Sequence, residues 1–157
     1  MKHHTREIKE NYELVDILKN AVVCRIAINA LPAPYIVPMS FGFTWEESLL
    51  IFFHCAHEGR KLDLLDADNR VGFELDTGHE LLQSEKPCDW GMRYRSIIGT
   101  GVITKVVEPE EKTAVLDTIM RHYQYKGESP HYDEAILKRT VVLMLTVDKI
   151  SGKEKCQ

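Results

Sequence analysis

Residues 35–45 constrain the fold more than any other stretch. Tyr35, Val37, Met39, Phe41, Phe43 and Trp45 alternate with Ile36, Pro38, Ser40, Gly42 and Thr44. A period of two sets the large side chains on one face of an extended strand and the smaller ones on the other. One face packs into a core. The other leaves room for a planar ligand or a second backbone, although a plain barrel bend accounts for the same pattern. Pro38 has no N–H to give a neighbouring strand, so this strand belongs at a sheet edge or a bulge.

The surrounding chain also reads mostly as strands. In residues 21–29, Val22, Cys24, Ile26 and Ile28 alternate with Val23, Arg25, Ala27 and Asn29, and Pro32 and Pro34 then turn the chain toward residue 35. The apolar run 49–53 predicts a third strand ending at His54. Val71, Phe73 and Leu75 opposite Gly72, Glu74 and Asp76 predict a fourth, 94–107 a long one bent at Gly99 and Gly101, and 140–147 the last. A first helix is expected over 5–20 with the stripe Ile8, Tyr12, Val15 and Leu18, and a short one over about 59–66. Pro109, Glu110 and Glu111 open another, carrying Val115, Leu116, Ile119, Met120 and Tyr123, and 132–137 allows one or two turns. Residues 78–91 show no clear period and read as a long loop. About six strands in this order give a mainly β, mostly antiparallel barrel with flanking α-helices. At 157 residues the chain suits one domain, with residues 1–4 and 152–157 as flexible polar tails.

A formal charge of -4 and a pI near 6.0 supply no general attraction to nucleic acid or to an anionic membrane. No apolar run approaches the roughly 20 residues of a membrane helix, and residues 1–11 lack the apolar centre of a signal peptide. A cytoplasmic protein is the expectation. Cys24, Cys55, Cys88 and Cys156 are scattered, with no C-x-x-C pair, so neither a zinc knuckle nor a disulfide framework is indicated.

The stretch His54-Cys55-Ala56-His57-Glu58-Gly59-Arg60-Lys61 runs from a strand through a glycine turn into two cations at a helix start. That is a phosphate site in outline; the same Arg-Lys pair also suits a solvated helix face. His54 is either a structural histidine or a neighbour of a ligand. His54 and His57 with Cys55 between them suggest metal-ligand spacing, but adjacent strand residues point apart and no third or fourth ligand is evident, so no metal site is expected. Spacing reveals no convincing Ser/His/Asp or Cys/His nucleophile set.

Five motifs in order carry a family resemblance over nearly the whole chain: residues 35–43 (YIVPMSFGF), 51–61 (IFFHCAHEGRK), 71–74 (VGFE), 94–101 (YRSIIGTG) and 110–112 (EEK). Together they resemble the pyridoxamine 5'-phosphate oxidase-like split-barrel flavoproteins, and within them the nitroimidazole-resistance (Nim-type) group. The resemblance implies an antiparallel split β-barrel and a homodimer with flavin mononucleotide (FMN), or sometimes the dinucleotide (FAD), between subunits. It implies that Arg60 and Lys61 hold the flavin phosphate, that Pro38, Met39, Ser40 and Phe41 line the ring through their backbone groups, and that His54, Cys55 and Ala56 continue that wall. Trp90, Tyr94, Arg95 and Ser96 become candidates to close the site, from the same or the second subunit, and His54 the candidate catalytic residue. The implied activity is reduction of a nitroaromatic or other small aromatic compound. A non-catalytic flavin- or haem-binding protein of the same fold is the alternative. No counterpart of the pyridoxamine phosphate-recognising positions aligns, so vitamin B6 oxidation is the weaker reading.

Overall fold

Eight strands hydrogen-bond into one antiparallel sheet in the computed structural model, which describes residues 6–128 and 130–155. The chain runs β1 (Arg6–Ile8), α1 (Asn11–Asn20), β2 (Cys24–Ile28), β3 (Tyr35–Met39), β4 (Gly42–Trp45), β5 (Leu49–Ala56), α2 (Arg60–Ala67), β6 (Arg70–Leu82), a 3-10 turn (Pro87–Asp89), β7 (Gly91–Val106), α3 (Pro109–His122), α4 (Glu134–Arg139) and β8 (Thr140–Lys155). Pairing order is β3-β2-β6-β7-β8-β5-β4, with β1 added beside β8. The sheet curls on itself without closing. Its ends, β3 and β4, are consecutive in sequence but do not pair, and the mainly β split barrel with flanking helices expected from the sequence is the fold that forms. No helix among the described residues is long and apolar enough to cross a membrane.

β5 shows why the barrel and its helices form one body. Ile51 and Phe53 point into the main core with Ile26, Leu75, Ile97 and Leu145, whereas Phe52 points outward into a second cluster with Val106, Val115, Leu116, Ile119 and Val142. A strand covered on both faces reads as a continuous apolar run rather than an alternation. Burying one such phenylalanine stabilises the fold by about 1.5–3 kcal/mol. The α3 stripe predicted from Val115, Leu116 and Ile119 is the face that covers Phe52.

Several expectations need correction. The 35–45 strand is two strands, broken at Ser40 and Phe41. The Phe41 N–H donates to the Tyr123 hydroxyl at 3.1 Å instead of to a strand. Nor does the small-residue face stay open throughout: a Cβ on Gly42 would lie 2.8 Å from Ile119 Cα, so α3 fills that space. Helix α1 starts only at Asn11, because residues 6–8 pair with 152–154 of β8. Its buried stripe is Leu14, Ile17 and Leu18, and Tyr12 is exposed. The loop expected over 78–91 shrinks to a turn, since 78–82 and 91–93 lengthen β6 and β7 into a projecting hairpin arm. The tail expected over 152–157 is strand through Lys155; residues 156–157, like the expected tail 1–4, lie outside the described residues.

Candidate functional site

The split creates two strand edges without partners. β3 pairs only with β2, and β5 loses β4 after Phe52 while keeping β8 as far as Ala56. Pro38, on the free edge of β3, sits where the missing N–H costs no ladder bond. Beyond Ala56 the chain turns through His57 and Glu58 to Gly59, whose φ of +134° is open only to glycine at little cost, and α2 begins.

The start of α2 carries two adjacent cations, Arg60 and Lys61. No side chain caps it. Leu62 and Asp63 donate their N–H groups to the Gly59 carbonyl, whereas the Arg60 and Lys61 N–H groups have no acceptor among the described residues. Unpaired N–H groups and the helix dipole favour an anion there. The Arg60 guanidinium lies 4.8 Å from the centre of the Tyr35 ring, tying the helix start to β3. A cation–π contact of this kind contributes about 0.5–1 kcal/mol when exposed.

Two side chains at the end of β5, His54 and Cys55, sense this charge. Partial burial, and secondly the Lys61 ammonium, hold the His54 imidazole below its ordinary range, so it is neutral at pH 7 and can donate from one ring nitrogen and accept at the other. Burial raises Cys55, outweighing Lys61 and Lys105, which keeps it a thiol rather than a thiolate nucleophile. His54 and Ala56 lie on the outer face of β5 in line with Phe52, while Cys55 turns inward against the core.

Pro38 thus lies on the edge strand β3 and Ser40 just past its end, His54, Cys55 and Ala56 on the stretch of β5 beyond β4, and Arg60 and Lys61 at the start of α2. Met39 is buried in the β2 pairing opposite Cys24. Phe41 is fully buried with its ring 4.3 Å from that of His122, and its N–H is already committed to Tyr123, so that donor is not available to a ligand.

Trp90, Tyr94, Arg95 and Ser96 form a separate group on the hairpin arm and β7. The Trp90 indole donates to the Ser84 carbonyl at 2.6 Å, and Lys153 sits 6.0 Å from the Tyr94 ring centre. Ser96 pairs in register with Asp76 and Lys153. Arg95 is bound to Asp16 of α1, donates to the Glu13 carbonyl at 3.3 Å, and approaches Glu154 at 3.7 Å. No described hydrogen bond, ion pair or ring contact joins these four residues to the split within one chain.

Sequence reasoning missed the clamp at the end of α3. The Tyr123 hydroxyl accepts from Phe41 and donates to the Val22 carbonyl at 2.6 Å, and His122 Nε2 lies 2.9 Å from the Ala21 carbonyl. The apolar stripe placed Tyr123 on the packing face, but partners about a hundred residues away leave no local signal. Among the described residues, no group of three or more His, Cys, Asp or Glu side chains converges as a metal site would require.

A family model described as pyridoxamine 5'-phosphate oxidase matches residues 10–154. Among solved structures, a proposed 5-nitroimidazole antibiotic resistance protein from Bacteroides thetaiotaomicron is 31% identical, with a TM-score of 0.81 over 96% of this chain and 87% of that one. An FAD and heme binding protein from Mycobacterium smegmatis is 17% identical (TM-score 0.81, covering 97% of this chain and 74% of that one). An FAD binding protein from the same organism is 20% identical (TM-score 0.58, covering 94% and 96%). At these identities the two mycobacterial structures speak for the fold alone. No curated protein matches the sequence significantly.

Proposed function

The chain belongs to the pyridoxamine 5'-phosphate oxidase family, and from that premise we propose that it is a flavin-dependent oxidoreductase that reduces a nitroaromatic compound of the 5-nitroimidazole kind, or another small aromatic. The observation that carries the reading is the uncapped start of α2 beside the split, with two unpaired N–H groups, Arg60 and Lys61 in one turn. That donor set fits a phosphate monoester: Arg60 offers a planar fork, Lys61 a point charge. FMN is the flavin whose phosphate ends there; FAD would have to continue past it.

The free edges of β3 and β5 suit a flat heteroaromatic ring with a polar rim. Pro38, Met39 and Ser40 line one side through their backbone, and His54 to Ala56 the other. Bound flavin supplies the electron-transfer chemistry, leaving the protein to bind, orient and exclude water. His54, neutral at pH 7, can hold or release a proton beside the ring, a role that a thiol-state Cys55 does not compete for. A second copy of the chain completes the site in this reading, covering the split and bringing Trp90, Tyr94 and Ser96 to it; Arg95, engaged with Asp16, shapes that surface.

The test is anaerobic. The protein loaded with FMN is mixed with reduced nicotinamide and then with a nitroimidazole. Bleaching of the flavin absorbance followed by its return on adding the nitro compound is expected. Flavin uptake without turnover on any nitro or aromatic acceptor would reject the reductase and leave a flavin-binding protein.

A further inference from the structure

Past Phe52, where the cover of α3 ends, the outer face of β5 borders an open groove of about 580 Å³ lined by His54, Cys55, Ala56, His57, Ile136, Arg139 and Thr140. Helix α4 forms its far wall. Leu137 of α4 packs into the second core, which turns Ile136 and Arg139, three residues apart, toward the groove. Arg139 is the cation of this lining, His54 and His57 are imidazoles, and no lining side chain is acidic. Arg139 has no hydrogen-bond or ion-pair partner among the described residues. Arg25, Arg70, Arg93 and Arg95 are each paired with a carboxylate, and Lys138 beside it holds Glu134 at 3.1 Å. Ile136 is 57% exposed, an apolar side chain without a neighbour to cover it. The groove thus combines an apolar wall, an open guanidinium fork and His54 of the flavin lip.

We propose that this groove binds an aromatic acid, its carboxylate gripped by Arg139 in a two-point fork and its ring packed on Ile136 and Ala56. Guanidinium and carboxylate match in geometry as well as charge, and the apolar wall rewards a ring rather than a bare anion. As the substrate class of the reductase this inference rests on the function proposed above; as a binding site it does not.

Calorimetric titration of the full chain, with and without FMN, uses 4-nitrobenzoate and its neutral counterpart 4-nitrobenzamide as probes. The acid is expected to bind about tenfold more tightly than the amide, equivalent to about 1.4 kcal/mol and close to the lower end for a hydrogen bond between charged groups. In Arg139→Gln the two probes should bind within about twofold of each other, with Arg139→Lys between, and FMN affinity should be the same in all three proteins. Equal binding of acid and amide to the unaltered chain, survival of the preference in Arg139→Gln, or no binding of either probe at millimolar concentration overturns the proposal. An Arg139-dependent preference in a protein that takes up no FMN would support the groove and refute the flavin reading.

Discussion

Replacing Gly42 by alanine adds one methyl group where β4 meets α3. That Cβ would lie 2.8 Å from Ile119 Cα, 2.9 Å from Ile119 N and 3.0 Å from the Thr118 carbonyl carbon. Carbon atoms pack best at about 3.5–4.0 Å, so the closest contact is short by roughly 0.7–1.2 Å on that scale. All three neighbours are main-chain atoms, so no rotamer change relieves the overlap. Strand and helix must move apart, loosening Ile119 over Phe52. Overpacking costs about 1–3 kcal/mol, and the rigidity of both sides puts Gly42→Ala in the upper half, about 2–3 kcal/mol. For a domain of this size that corresponds to a fall in Tm of roughly 4–12 °C. Urea unfolding followed by tryptophan fluorescence measures it, with exposed Thr44→Ala on the same strand as a control expected to stay within about 0.5 kcal/mol. A Gly42→Ala protein as stable as the control would refute the close contact of β4 with α3.

Three further outcomes are expected. Tyr123→Phe removes the acceptor of the Phe41 N–H and the donor to Val22; leaving a buried N–H unpaired costs about 1–3 kcal/mol, read as a lower urea midpoint with an unchanged slope, and no change would show that water replaces the hydroxyl. Arg60→Ala and Lys61→Ala should each weaken FMN binding by about 1.5–3 kcal/mol if each makes a charged hydrogen bond, measured by fluorescence quenching; unchanged affinity in both would refute the phosphate assignment. His54 and His122 are both held below the ordinary imidazole value of 6.5, chiefly by burial. The unfolded chain therefore binds more protons than the folded one, and stability is lost as pH falls through about 6.5. His54→Asn should make that loss shallower between neutral and mildly acid pH, and an NMR titration should place the His54 transition below that of a free imidazole.

What the sequence reveals and what it hides follow from how far apart the partners are. The turn from His54 to Lys61 was legible because strand end, glycine, cations and helix start are contiguous, and each is set by local chemistry. The faces of 35–45 were legible because a period of two is local as well. The break at Ser40–Phe41 was not, since its cause is the hydroxyl of Tyr123, 82 residues away. β1 was hidden for the same reason: three residues become a strand only because the far end of β8 lies beside them. Residues 78–82 look like loop because they are mostly exposed and carry no buried period; pairing of 80–82 with 91–93 beyond a bulge at 78–79, not burial, extends the strand through them. Arg139 offered no signal at all. Its place in the groove depends on α4 meeting β5 through β8, a juxtaposition that only the folded sheet creates.

A flavin held at the split and the start of α2 would be visible in the protein's colour. The most direct measurement is the absorption spectrum of the purified native protein, followed by denaturation and identification of any released cofactor by mass. Flavin absorbance is expected in the native protein, or on offering FMN, together with release of an intact flavin phosphate. A colourless protein that takes up neither FMN nor FAD would contradict a flavin site there.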